Sequence, residues 1–262
     1  MYGEVCEAMA GGAAAKAGLL KTRPGAVWVS SMLAGVFIAF GSIVFLATGG
    51  ALTAAGCTAV KFFSCLVFSA ALSLVLMAGC DLFTGSNLTM GMGLLCRRVT
   101  PAQALGFWGV CWAGNFLGSW GTVALYKLSG LAGNEATAAF VCSCAGAKLA
   151  AGPLQMFAKG ILCNICVCLA VWCGAKLKSE SGKLIMVVWC ILIFMLAGFE
   201  HSVANMSILG LALVNGAAGV TLAGYAENLF FVTLGNFVGG FCCVALPYWF
   251  LSRPGRGAAS DR

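Results

Sequence analysis

The sequence predicts an all-α membrane protein with six transmembrane helices, arranged as two inverted three-span repeats with broken second and fifth helices. Three observations predict it. Only 9% of the 262 residues are charged and 61% are hydrophobic, against roughly 25% charged in a soluble domain, so polar side chains cannot cover a water-facing surface. Apolar segments of spanning length recur along the chain, and two of them are interrupted by polar residues. Two motifs of the first half return in the second half at nearly one offset.

The apolar segments are 26–50, 58–95, 102–126, 154–174, 184–214 and 229–251. A straight crossing needs about 20 residues, so 58–95 and 184–214 are too long for one. Their interruptions read Gly79-Cys80-Asp81-Leu82-Phe83-Thr84-Gly85-Ser86-Asn87 and Gly198-Phe199-Glu200-His201-Ser202-Val203-Ala204-Asn205. The resulting organisation is an interfacial helix in 1–25, a first repeat in 26–128, an extracellular connection in 129–153, a second repeat in 154–251 and a cytoplasmic tail in 252–262. Within 1–25, Glu4 stands at the start and Lys21 near the end, matching the helix dipole. No basic stretch precedes its apolar part and Lys16 interrupts it, which is not the pattern of a cleaved signal.

Lys and Arg orient the chain. With the N-terminus inside, eleven of the fifteen basic residues fall on the cytoplasmic side, while Lys61, Lys127, Lys148 and Lys159 fall on or towards the other. The excess puts both termini in the cytoplasm of an inner-membrane protein. Gly114-Asn115-Phe116-Leu117-Gly118 returns as Gly235-Asn236-Phe237-Val238-Gly239, 121 residues later, and Gly79-Cys80-Asp81 returns as Gly198-Phe199-Glu200, 119 residues later. Order and spacing together indicate a duplicated three-span unit. Three is odd, so the copies face opposite ways. Most of the fifteen cysteines lie in apolar spans, and the chain has a single histidine. They read as small core residues rather than a metal site; Cys142 and Cys144, in the polar connection, are the pair to watch.

Asp81, Glu200 and His201 are the acids and imidazole expected at membrane depth. Charge there costs about 2.5–3.5 kcal/mol on insertion scales, so such groups face cavities and find partners. The two acids read as supports of the half-helices, accepting backbone N–H groups freed at the breaks. His201 is not explained that way. Half-helices starting near Thr84 and His201 present partially positive ends to a shared point, where a small anion is favoured. Thr84 donates a hydroxyl there and His201 a ring N–H. Lys148 and Lys159 raise the local anion concentration. Leu82, Phe83 and Phe194 have two readings, a dewetting gate or ordinary helix packing, and the second is the simpler from pattern alone.

At these residues the chain resembles the formate/nitrite transporter family over essentially its whole length. Asp81-Leu82-Phe83-Thr84-Gly85 is similar to the family's second-span motif, with Asp where Glu is usual. Phe199-Glu200-His201-Ser202-Val203-Ala204-Asn205-Met206 is similar to its fifth-span signature, and Lys159-Gly160-Ile161-Leu162-Cys163-Asn164 and Gly235-Asn236 also fit. The resemblance implies an aquaporin-like six-span protomer in a homopentamer, set in membrane lipid, with one anion path per subunit. It implies Thr84, His201, Lys148, Asn164, Asn205 and, at the cytoplasmic mouth, Lys16 as polar pore positions. Leu72, Leu82, Phe68 and Phe194 become its apolar constrictions. Within the family the chain looks most like the hydrosulfide channel branch, so the first reading is a passive channel for small inorganic or one-carbon anions, hydrosulfide foremost and formate and nitrite besides. The alternative is formate or nitrite transport with proton coupling through His201. A neutral-solute pore of aquaporin type lacks its Asn-Pro-Ala turns here, since Asn-Pro is absent from the chain. No enzyme activity, cofactor, metal or nucleic-acid partner is expected.

Overall fold

In the computed structural model, which describes residues 2–253, the chain is all-α. The helices are α1 Gly3–Thr22, α2 Pro24–Ala54, α3 Val60–Ala78, α4 Phe83–Leu95 and α5 Pro101–Leu128, followed by α6 Glu135–Leu149, α7 Pro153–Lys176, α8 Glu180–Ala197, α9 Ser202–Val214, α10 Leu222–Gly240 and α11 Leu246–Ser252. A π-helical turn, Phe241–Ala245, joins α10 to α11 without a break. By length and composition, five helices are apolar enough to cross a membrane: α2, α3, α7, α8 and the continuous Leu222–Ser252 helix. α5 has the length, but Gln103, Asn115 and its glycines dilute its apolar character.

Local sequence explains the boundaries. Pro24, Pro101 and Pro153 open helices, where a missing N–H costs nothing. Thr100 and Gln103 form a reciprocal capping box at α5. Asn134, Ser179 and Thr221 cap α6, α8 and α10 with side-chain oxygens. α3 and α8 end at Gly79 and Gly198, both at φ 77°, a left-handed conformation that favours glycine.

The segment 129–153, read from sequence as a connection, contains the 15-residue α6, so Cys142 and Cys144 sit on a helix. Its buried face is Thr137, Val141 and Ala145, spaced one turn apart. The last span begins at Leu222, seven residues before the sequence boundary at 229, because the Thr221 cap starts the helix ahead of its apolar run. The tail beyond Arg253 lies outside the described residues.

α2 packs along α5, and α7 along α10. Both contacts are backbone-close: a Cβ on Gly118 would run into the Met32 carbonyl, and one on Gly239 into the Ile161 carbonyl. Small residues permit this approach between helices in lipid. Gly118→Ala is therefore expected to lower thermal stability in detergent by about 1–3 kcal/mol, the range for overpacking a tight contact; an unchanged melting curve would contradict the packing.

Candidate functional site

The site is built where the two broken helices meet. At the first break, α3 stops at Gly79 and α4 starts at Phe83. The Phe83 N–H donates to Asn115 Oδ1 at 2.8 Å, and Asn115 Nδ2 donates to the carbonyls of Asp81 at 2.9 Å and Ser31 at 2.8 Å. At the second break, α8 stops at Gly198 and α9 starts at Ser202. The Ser202 N–H donates to Asn236 Oδ1 at 2.9 Å, and Asn236 Nδ2 donates to the carbonyls of Glu200 at 3.0 Å and Gly160 at 2.8 Å. The two breaks match bond for bond. Each buried asparagine satisfies an N–H and a carbonyl that interruption leaves exposed at a depth without water.

This corrects the role read for the acids. Neither carboxylate accepts a half-helix N–H; the asparagines take that place. Asp81 instead accepts from the Lys16 ammonium and from Ser30 Oγ at 2.7 Å. Glu200 Oε2 accepts from Lys148 Nζ at 2.8 Å and Asn205 Nδ2 at 2.7 Å. The reason is the partners at hand: α1 and α6 supply a lysine to each carboxylate, and the asparagines already hold the N–H groups. Each pair leaves its break close to neutral, a better state for buried acids than unpaired charge.

Between the breaks, Thr84 Oγ1 and His201 Nε2 lie 3.1 Å apart, both buried. His201 is the N-cap of α9, its Nδ1 accepting the Ala204 N–H at 3.0 Å. That bond assigns the tautomer of the neutral ring: Nδ1 is an acceptor, so Nε2 carries the hydrogen and donates to Thr84. The Thr84 hydroxyl hydrogen then has no acceptor among the described residues. The Phe194 ring stacks on the imidazole at 6.0 Å between centroids, and Phe68 meets Phe194 edge-on at 6.2 Å.

A cavity of about 430 Å³ reaches this point from the α6 side. Lys61, Lys148 and Lys159 line it together with His201, Glu200, Asn205 and Phe194. Cys144 also lines it. Thr84, Phe68, Leu72 and Leu82 do not; Phe68, Leu72 and Leu82 belong to the packed core with Phe194. A second cavity, about 480 Å³, opens beside the first break, lined by Arg23, Ser30, Gly79 and Cys80 among others. Lys16 sits over the Phe107 ring at 5.6 Å, against Asp81.

The remaining expected pore residues act differently from simple donors. Asn164 Nδ2 donates to the Thr84 carbonyl at 3.1 Å and the Asn236 carbonyl at 2.6 Å, and Asn164 is absent from the cavity wall. Its amide holds the first turn of α4 against α7. Asn205 spends its Nδ2 hydrogens on Glu200 and Asn228. The oxygens of Asn164 and Asn205 are buried and have no hydrogen-bond partner among the described residues. Sequence reasoning missed the capping by Asn115 and Asn236, although their Gly-Asn repeat was the signal. It missed Ser30 and Asn228 altogether.

Residues 3–250 match the family model described as formate/nitrite transporter. The nitrite transporter NirC of Escherichia coli is 33% identical over 263 residues, covering 100% of this chain and 97% of that protein. A probable formate transporter of Methanothermobacter thermautotrophicus is 35% identical over 250 residues, covering 88% of this chain and 90% of that protein. Among solved structures, an FNT family ion channel superposes with a TM-score of 0.88 at 32% identity, covering 95% of this chain and 99% of that one. A pentameric formate channel with formate bound gives 0.72 at 26% identity, covering 86% and 96%. The chain thus belongs to the formate/nitrite transporter family, a family of channels and transporters and not of enzymes.

Proposed function

We propose that this protein passes small monovalent anions of the formate and nitrite type through a path within each subunit, with the Thr84–His201 pair as its central station. The observation that carries the reading is that contact at 3.1 Å, where the N-terminal ends of α4 and α9 meet next to a cavity lined by three lysines. Lys61 and Lys159, the excess charge beyond the Lys148–Glu200 pair, draw the anion in. The apolar ring of Phe194, Phe68, Leu72 and Leu82 strips water and blocks larger hydrated ions. The Thr84 hydroxyl and the two half-helix ends replace the lost hydration. Lys16 and the cavity beside Arg23 serve the opposite mouth.

The proposal includes the architecture. α2, α3 with α4, and α5 form three crossings in 26–128; α7, α8 with α9, and Leu222–Ser252 form three more in 154–251, inverted relative to the first. The matched asparagine caps support this symmetry. They also extend it: α1 and α6 each precede a repeat and each bring one lysine to the acid of its break, so segments 1–25 and 129–153 are counterparts. Both termini then face the cytoplasm, and five copies assemble as in the pentameric formate relative.

The names of the relatives favour formate and nitrite over hydrosulfide as cargo. Proton coupling through His201 meets a structural condition. An added proton lands on Nδ1 and displaces the Ala204 N–H, so it opens the N-cap of α9. The test is flux into proteoliposomes of formate, nitrite, hydrosulfide and chloride in parallel, over a pH series. Formate and nitrite should enter well ahead of chloride. Osmotic water flow with no anion entry would overturn the reading in favour of a neutral-solute pore.

A further inference from the structure

We propose that Asn228 is a positioning residue for Lys148, the closing link of a hydrogen-bonded ring that begins and ends on that lysine; the inference rests on the anion-transport reading. Asn228 lies on α10, is 0% exposed, and is absent from the cavity wall. Its Oδ1 accepts from Asn205 Nδ2 at 2.8 Å. Its own Nδ2 points at the Lys148 carbonyl at 3.5 Å, a long contact. Asn205 Nδ2 also donates to Glu200 Oε2, and that same oxygen accepts the Lys148 ammonium. The circuit runs from the Lys148 carbonyl through Asn228, Asn205 and Glu200 back to Lys148 Nζ.

Each link fixes the next. Asn205 has two amide hydrogens, and both are used; a flipped amide would set its oxygen against Glu200 Oε2 and Asn228 Oδ1. Asn228 thereby holds Asn205 with its nitrogen towards Glu200. Glu200 in turn holds the lysine head, whose side chain is only 17% exposed. A lysine ordinarily has a flexible stem and strong hydration. Held at both its backbone and its ammonium, Lys148 offers its remaining ammonium hydrogens to the cavity with little side-chain freedom left to lose when an anion arrives.

The position 121 residues before Asn228, at the other break, holds Phe107, equally buried. There no asparagine ring forms, and the Lys16 side chain is 35% exposed, twice as open as Lys148. The first break lacks both amides of the ring: Ser86 stands 119 residues before Asn205, as Phe107 stands 121 before Asn228.

The test is formate flux into proteoliposomes for wild type, Asn228→Leu, Lys148→Gln and the double variant. Asn228→Leu should raise the half-saturating formate concentration about fivefold, the scale of one lost buried hydrogen bond, with a smaller change in maximal rate. In the Lys148→Gln background it should raise it no further, because its effect runs through Lys148. If Asn228→Leu does not fold, Asn228→Ala serves the same comparison. Half-saturation equal to wild type, or effects that multiply in the double variant, would overturn the role. A wild type that carries no formate removes the transport reading instead, so the two failures are separable.

Discussion

Asn236→Leu is expected to lower thermal stability by about 3 kcal/mol or more, because it leaves buried backbone groups unpaired at about 1–3 kcal/mol each. Leucine has the branched outline of asparagine and is the bulkier of the two, so none of the loss is a cavity. What is lost is the acceptor for the Ser202 N–H and the donors to Glu200 and Gly160. Interhelical hydrogen bonds in membranes average only about 0.6 kcal/mol, because loosened groups find other partners. At a helix break those partners do not exist, so the larger figure applies. Asn115→Leu should cost about one lost bond less: the Asp81 carbonyl keeps the Cys111 thiol at 3.2 Å, so the Phe83 N–H and the Ser31 carbonyl are the groups that lose their partner. Melting curves in detergent read both. Equal, small losses would mean that the asparagines do not hold the breaks.

His201→Asn separates the structural role of the ring from its transport role. Asparagine is a favoured N-cap, so it retains an acceptor for the Ala204 N–H and keeps most of the roughly 1 kcal/mol of capping. It is too short to reach Thr84, and the stacked face offered to Phe194 is lost. Formate flux should therefore fall at least about tenfold, a barrier increase near 1.4 kcal/mol, while the melting temperature changes little. A His201→Asn protein that melts early would place the importance of this residue in the cap. One that melts normally and transports at the wild-type rate would remove His201 from the path.

Much of this was readable before the structure. The sparse charge, the two overlong apolar segments and the Gly-x-acid recurrence pointed to the breaks, and α3 and α8 do end at Gly79 and Gly198. Thr84 was legible from its place just after the acid of the first interruption, and His201 as the sole imidazole, set in the second. The partners of the acids were not. Lys16 and Lys148 stand 65 and 52 residues from Asp81 and Glu200, and nothing local links them. α6 escaped notice because its buried face is built from Thr137, Val141 and Ala145, side chains too small to give a strong apolar signal. Asn228 was hidden for a similar reason. A lone asparagine in an apolar helix reads as tolerated, and only the ring it closes gives it a task.

In the proposed path, the hydroxyl of Thr84 stands in for water around a passing anion. Formate flux into proteoliposomes through Thr84→Ser and Thr84→Val, each beside wild type at equal protein, isolates that hydroxyl. Serine keeps the hydroxyl and valine keeps the shape without it. Thr84→Ser should stay within about twofold of wild type while Thr84→Val loses at least about tenfold, the scale of one charge-assisted hydrogen bond of roughly 1.5 kcal/mol. Thr84→Val flux equal to wild type, in protein that melts at the wild-type temperature, would contradict it.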